Sequence, residues 1–286
     1  MRISVSPRLV RGAAVLTLSA LTAGASATPV FEKGIPAGWS CVGRCGTAGA
    51  DGDVPLAPGG GEAYGWIATS GSHEPNGAGA LPHFDVPGGS ETDGSRLTSP
   101  LFSAQAGEPL ELQFNYVTSD GGSFADYAWA RLLNGSGEAE ALLFTARTSP
   151  DQPAVPGFDM PAPEATTTPA SVNVTDSAPA WSPLGRSSGD CWDDEGCGLT
   201  GWVGSSLAIA EAGDYALQLG VTNWGDHGFQ SGLAFDAPTV GGAPLRERTV
   251  PAPTTVLLLG AGLLGIGSAC RRSRRGHRPV EGAETP

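Results

Sequence analysis

The chain has 286 residues, 43 of them glycine and 24 proline, and a formal net charge of −13. That much glycine and proline argues against long helices as the main architecture. The negative charge argues against nucleic acid and anionic membrane surfaces as partners. Between Thr28 and Thr249 stand 27 acidic residues against 8 basic ones, a balance near −19, so much of the positive charge lies at the two ends.

The first element is at the N-terminus. Arg2, Arg8 and Arg11 accompany a short apolar stretch from Ala13 to Gly24, and Ala25-Ser26-Ala27 has small residues at both recognition positions of a cleavage site. This pattern predicts a secretory signal peptide over 1–27, read by Sec-type export machinery. The stretch is too short, and too rich in Ala, Ser and Thr, to favour a permanent anchor.

The body, 28–249, is long enough for one all-β domain with a sizeable core. Its apolar residues recur with a period of two. "PLELQFNYVTSD" sets Leu110, Leu112, Phe114 and Tyr116 on one face and Glu111, Gln113 and Asn115 on the other, the pattern of a strand with one face buried. "GDYALQLGVTNW" does the same with Tyr215, Leu217, Leu219 and Val221. Further strands are predicted at "YGWIATS", "SRLTSPLFSA", "DYAWARLLN", "AEALLFTART", "TGWVGSSLA" and "SGLAFDAPTV", with a hairpin turn at Asn134-Gly135. Eight or so antiparallel strands joined by Gly-rich turns imply a β-sandwich. Seven prolines and a threonine-rich centre make 148–180 a long loop, expected as an excursion from a single sandwich.

Four cysteines lie in the body, Cys41, Cys45, Cys191 and Cys197. In an oxidising compartment an even set reads as disulfides, and four cysteines allow three pairings. Local closure, Cys41–Cys45 and Cys191–Cys197, makes small rings around Gly-rich turns, whereas the spacings fit a zinc site poorly. The acidic loops "GADGD" (Asp51, Asp53) and "CWDDEGC" (Asp193, Asp194, Glu195) carry the hard oxygens that calcium takes, but neither has the twelve-residue EF-hand spacing, and both read as solvated turns. Of the tryptophans, Trp192 and Trp224 are the ones expected on loops, where a ring face could stack on a sugar; the others are expected in the core. The body's histidines are His73, His83 and His227, and no G-x-S-x-G, H-E-x-x-H or phosphate-binding loop accompanies them, so no catalytic residue is assigned.

The last element is the tail. Thr254 to Cys270 is an uncharged Leu/Ala/Gly run of 17 residues, at the lower edge of what crosses a hydrocarbon core of ~30 Å, and arginines follow at once. Arginines flanking a span stay cytoplasmic, which puts the body outside the inner membrane. The order Val250-Pro251-Ala252-Pro253, a Gly/Leu-rich span, then Arg271, Arg272, Arg274 and Arg275 resembles the PEP-CTERM sorting signal recognised by exosortases in Gram-negative bacteria. It departs from the motif at Ala252, where the family has Glu, and in the residues that run on past the arginines. The resemblance implies a sorting segment over 250–276 with a transient inner-membrane span at 254–270 and a cytoplasmic tail at 277–286. It also implies removal of the tail near Pro251–Pro253 and delivery to the surface or extracellular matrix.

The body has its own resemblance. "FEKGIPAGW", "LTSPLFSAQAGEPLELQFNYVTSDGGSFADYAWARL" and "GLAFDAPTV" are similar to jelly-roll modules of carbohydrate-binding and adhesive extracellular proteins, and to uncharacterised PEP-CTERM proteins with a "C…GCG-x-TGW" segment. Such modules often hold a structural calcium between first and last strands. The matching positions are Glu32 and Asp236, so calcium is the one cofactor the resemblance implies. A non-enzymatic surface or matrix protein, associated with exopolysaccharide, is the expected function. The alternatives are an adhesive coat protein with no glycan ligand and a polysaccharide-acting enzyme.

Overall fold

The computed structural model describes residues 30–245 apart from 73–77, 85–87, 125, 150 and 193–194. The segments expected to be a signal peptide, a membrane span and a cytoplasmic tail lie outside the described residues, as does the sorting segment. The strands are β1 (Ser40–Val42), β2 (Arg44–Ala48), β3 (Tyr64–Ala68), β4 (Glu91–Thr98), β5 (Phe102–Ala104), β6 (Pro109–Thr118) and β7 (Tyr127–Asn134). They continue as β8 (Ala139–Arg147), β9 (Thr166–Thr168), β10 (Gly198–Leu199), β11 (Val203–Ala208), β12 (Gly213–Trp224), β13 (Ser231–Val240) and β14 (Ala243–Pro244). The smaller sheet runs β1-β4-β12-β7-β8, with β5 also on β12. The larger runs β2-β3-β13-β6-β11-β9, with β10 on β6 and β14 on β13. The pairings between strands are antiparallel.

The two sheets face each other over one apolar core. Leu110, Leu112, Phe114 and Tyr116 of β6 meet Leu217, Leu219 and Val221 of β12, with Phe31, Phe144, Leu233 and Phe235 beside them. This is the sandwich that the period-two pattern predicts, because alternate side chains of each strand share one face. Proline has no amide to give a ladder, and at Ser99-Pro100 the single strand expected from Ser95 to Ala104 divides into β4 and β5. The β7–β8 connection is wider than a two-residue hairpin: Asn134 ends β7, and its side-chain oxygen accepts the amides of Ser136 and Glu138 at 3.0 Å each.

The expected polar face of β6 is polar only at its start. From Asn115 to Thr118 both faces are buried. The outer face of the larger sheet is covered by Trp181, Leu184 and Leu199, which pack on Tyr64, Val117 and Ala234. That cover arrives by way of the Pro/Thr-rich segment. It leaves β8, bridges Val155 to Val172, adds β9 to the sheet edge beside β11, and turns inward at Trp181. Burying an indole of ~200 Å² stabilises by roughly 5 kcal/mol, enough to hold a glycine-poor loop against its sheet. Asp51 and Asp53 hold the same place. Asp51 accepts the Ser182 amide at 3.0 Å and the Ser182 hydroxyl, and Asp53 accepts the Ala180 amide at 2.7 Å.

Strand glycines make room for aromatic rings. Trp129 lies across from Gly220, Trp66 across from Gly46, and Phe235 across from Gly65. A methyl group on any of these glycines would come within 2.5 Å of the facing ring. Trp66 and Trp129 therefore owe their seats to missing side chains opposite.

Candidate functional site: a polar pole under an aromatic crest

At one end of the sandwich the inward-facing register continues while its chemistry changes. Along β12 the inner positions run Leu219, Val221, then Asn223; along β6 they run Phe114, Tyr116, then Thr118. The same face begins with Asp126 just before β7 and with Ser231 at the first position of β13. Asn223, Thr118, Ser231 and Asp126 are fully buried, and Asp120 nearly so.

These groups are held by one end each. Asp126 Oδ1 accepts the Trp224 amide at 2.8 Å, and its backbone carbonyl accepts the Tyr116 hydroxyl at 2.8 Å. Asp120 Oδ1 accepts the Gly121 amide at 2.9 Å. Asn223 Nδ2 donates to Asp93 Oδ1 at 3.0 Å and to Gln230 Oε1 at 3.4 Å. The Ser231 and Thr118 hydroxyls bond each other at 2.7 Å. His227 pairs with Asp93 at 3.1 Å on the rim.

The other ends turn inward, where the Asp120 and Asp126 carboxyls lie within reach of each other and the Ser231 side chain lies beside Asp126. Among the described residues, Asp120 Oδ2, Asp126 Oδ2, Asn223 Oδ1 and Thr148 Oγ1 are buried with no hydrogen-bond partner; the remaining such atom is Asn115 Nδ2. The Asp120 and Asp126 carboxyls interact directly. Burial, then the charge of Asp226, raises the Asp120 pKa; burial, then Asp120 itself, raises that of Asp126 well above the usual carboxylate range. Arg147 is buried on the outer side, with Trp224 and Phe158 rings under its guanidinium.

Above this pole lies a crest of rings. Trp192 is 44% exposed and Phe124 41%, and their centroids are 6.3 Å apart at a steep angle. Phe229 stands 5.2 Å from Trp192. The Cys191–Cys197 disulfide closes the loop that carries Trp192, and the Trp192 amide donates to Ser119 O at 3.0 Å. Beside the crest is an open polar groove of about 610 Å³, lined by Thr148, Ser149, Gln152, Asn173, Asp176 and Glu195.

The residues singled out in the sequence separate as follows. Both local disulfides are present, Cys41–Cys45 and Cys191–Cys197. Trp192 is on the crest, but Trp224 is a correction: at 5% exposure it packs on Tyr127 and under Arg147, because it faces outward on β12 beneath Leu81 and Phe84 and has no free ring face for a sugar. Phe124 and Phe229 were missed, since a lone Phe in a glycine-rich loop carries no signal of its neighbours. Glu32 and Asp236 come close enough for Glu32 to raise the Asp236 pKa, although burial is the larger cause. Glu32 Oε1 accepts the Glu62 amide and Asp236 Oδ1 the Ala237 amide at 2.7 Å. Among the described residues, no three His, Cys, Asp or Glu side chains gather as a metal-ligand set. Asp193, Asp194 and His73 lie outside the described residues, as do Val250 to Pro253 and Arg271, Arg272, Arg274 and Arg275.

Residues 249–275 match the PEP-CTERM protein-sorting motif. The chain therefore carries an exosortase-type sorting signal: it is exported through a membrane intermediate and reaches the cell surface or extracellular space of a Gram-negative bacterium. Two solved structures resemble the body, the K1 and K3 cleaved adhesin domains of Lys-gingipain from Porphyromonas gingivalis W83. They are 11% and 14% identical, with TM-scores of 0.34 and 0.29, covering 73% of this chain and 95% and 97% of theirs. No curated protein matches this chain.

Proposed function

We propose that this exported sandwich is a non-enzymatic matrix protein that binds exopolysaccharide through its aromatic crest. The observation that carries the reading is the exposed pair Trp192 and Phe124 with the half-buried Phe229 against Trp192, fixed on loops at one end of a rigid double sheet. Ring faces of this kind stack on the apolar face of a pyranose, and the polar groove beside them supplies hydrogen-bonding side chains. Sorting to the cell surface, which the tail motif indicates, supports the reading, since it exposes the crest to the extracellular space. Glu32 and Asp236 serve as a structural calcium site in this reading, tying the start of the body to its last long strand.

The test is a glycan array and a pull-down with the organism's own exopolysaccharide, using residues 28–249. Retention should fall at least tenfold in Trp192→Ala. Retention unchanged in that variant, or no retained glycan, would favour the adhesive coat protein with no glycan ligand. Glycan cleavage that stops on loss of one carboxylate would establish an enzyme instead.

A further inference from the structure

We propose that the polar pole is a second, buried calcium site, with Asp120 Oδ2, Asp126 Oδ2 and Asn223 Oδ1 as its side-chain ligands. Each of these three side chains is anchored at one end and leaves an oxygen with no hydrogen-bond donor at the other. The Gly121 amide holds Asp120, the Trp224 amide holds Asp126, and Asp93 with Gln230 holds the Asn223 amide group. Both anchors of Asn223 are acceptors, which fixes its nitrogen toward them and turns its oxygen away. Anchoring of this kind orients ligands around a metal.

The unpaired ends of these three side chains are oxygen acceptors. A buried acceptor without a partner costs about 1–3 kcal/mol, so three at one pole call for an occupant. A proton shared between Asp120 and Asp126 would satisfy at most two of them and would leave Asn223 Oδ1 bare. A divalent cation satisfies all three side-chain oxygens at once and neutralises two carboxylates. The absence of His and Cys from the set selects a hard cation, and irregular oxygen ligation from loops and strand ends suits calcium better than the strict octahedron of magnesium. Calcium accepts amide, hydroxyl and carbonyl oxygens alongside two carboxylates, so no third acid is needed. The ion would fix the 119–126 and 225–230 loops, which carry Phe124 and Phe229. It stands independently of what the crest binds.

The experiment uses the exported body, residues 28–249, whose two sheets and core close within the described residues. After treatment with a chelator, calcium is titrated by equilibrium dialysis, and terbium luminescence is excited through the aromatic rings beside the pole, Tyr116, Tyr127 and Trp224. Sensitised terbium emission that calcium displaces is expected. Asp126→Asn, close to isosteric, should weaken calcium at least tenfold, and Asp120→Asn should do the same should Asp126→Asn fail to fold. Asp236→Asn should leave this emission intact, which separates the pole from the Glu32–Asp236 pair. Absence of bound calcium at millimolar concentration and neutral pH would overturn the proposal. So would unchanged affinity in folded Asp126→Asn, and so would a calcium-independent gain in stability in that variant, the mark of a shared proton.

Discussion

Trp181 donates its indole N–H to the Tyr64 hydroxyl at 2.8 Å across 117 residues of sequence, with both side chains buried. This bond joins the cover of the larger sheet to the sheet itself. Trp181→Ala should lower stability by about 3–5 kcal/mol, the range for removing a buried large aromatic, as read from urea denaturation.

The same pair sets an alkaline limit. Burial pushes the Tyr64 hydroxyl from 10.0 up to about 12, against the opposing pull of the Trp181 N–H, with the Asp51 charge adding to the rise. The folded state therefore favours the neutral phenol. Its contribution is fully present below pH 10 and is lost progressively as pH climbs from 10 to 12. Stability measured against pH should fall less steeply over that window in Tyr64→Phe; an identical slope would remove Tyr64 from the account.

Gly220→Ala should be costly although alanine suits most backbones. Its methyl group would lie within 2.5 Å of the Trp129 indole, whose N–H donates to Gly79 O at 2.6 Å and so cannot swing aside freely. Overpacking of this sort costs about 1–3 kcal/mol. Pairing it with Trp129→Leu should recover part of the loss in a double-mutant cycle.

Replacing Cys191 and Cys197 together by serine should cost near the low end of ~2–4 kcal/mol, because the bridge spans only six positions. Crest function should suffer more than the global fold, since the ring carries Trp192. Peptide mapping without reductant should recover the two local bridges; a Cys41–Cys191 link would reject them.

Calcium at the Glu32–Asp236 pair should raise the melting temperature of residues 28–249, with magnesium less effective. Glu32→Gln and Asp236→Asn should each shrink the gain and leave emission from terbium at the pole unchanged. A gain that survives both variants would move the stabilising ion elsewhere.

Processing should remove the tail. Mass spectrometry of the extracellular form should find no peptide beyond about Pro253, and recovery of Arg271 to Arg275 on it would instead indicate a retained anchor.

Local order alone determined much of this protein. The expected export signal, the arginine-flanked tail and its sorting motif are linear patterns, so no fold is needed to recognise them. Strand positions were also legible, because a sandwich with one buried inner face imposes a period of two on residues such as Leu110, Leu112 and Phe114. Tertiary structure decided the rest. Asn115 and Trp224 are buried because other segments cover their outer faces, which no alternation along their own strands records. The crest joins Phe124, Trp192 and Phe229, and the pole joins Asp120, Asp126 and Asn223, from loops and strand ends far apart in sequence. Those neighbours exist only because antiparallel strands return to the same end of the sheet, and burial there makes the unpaired oxygens costly enough to require a partner.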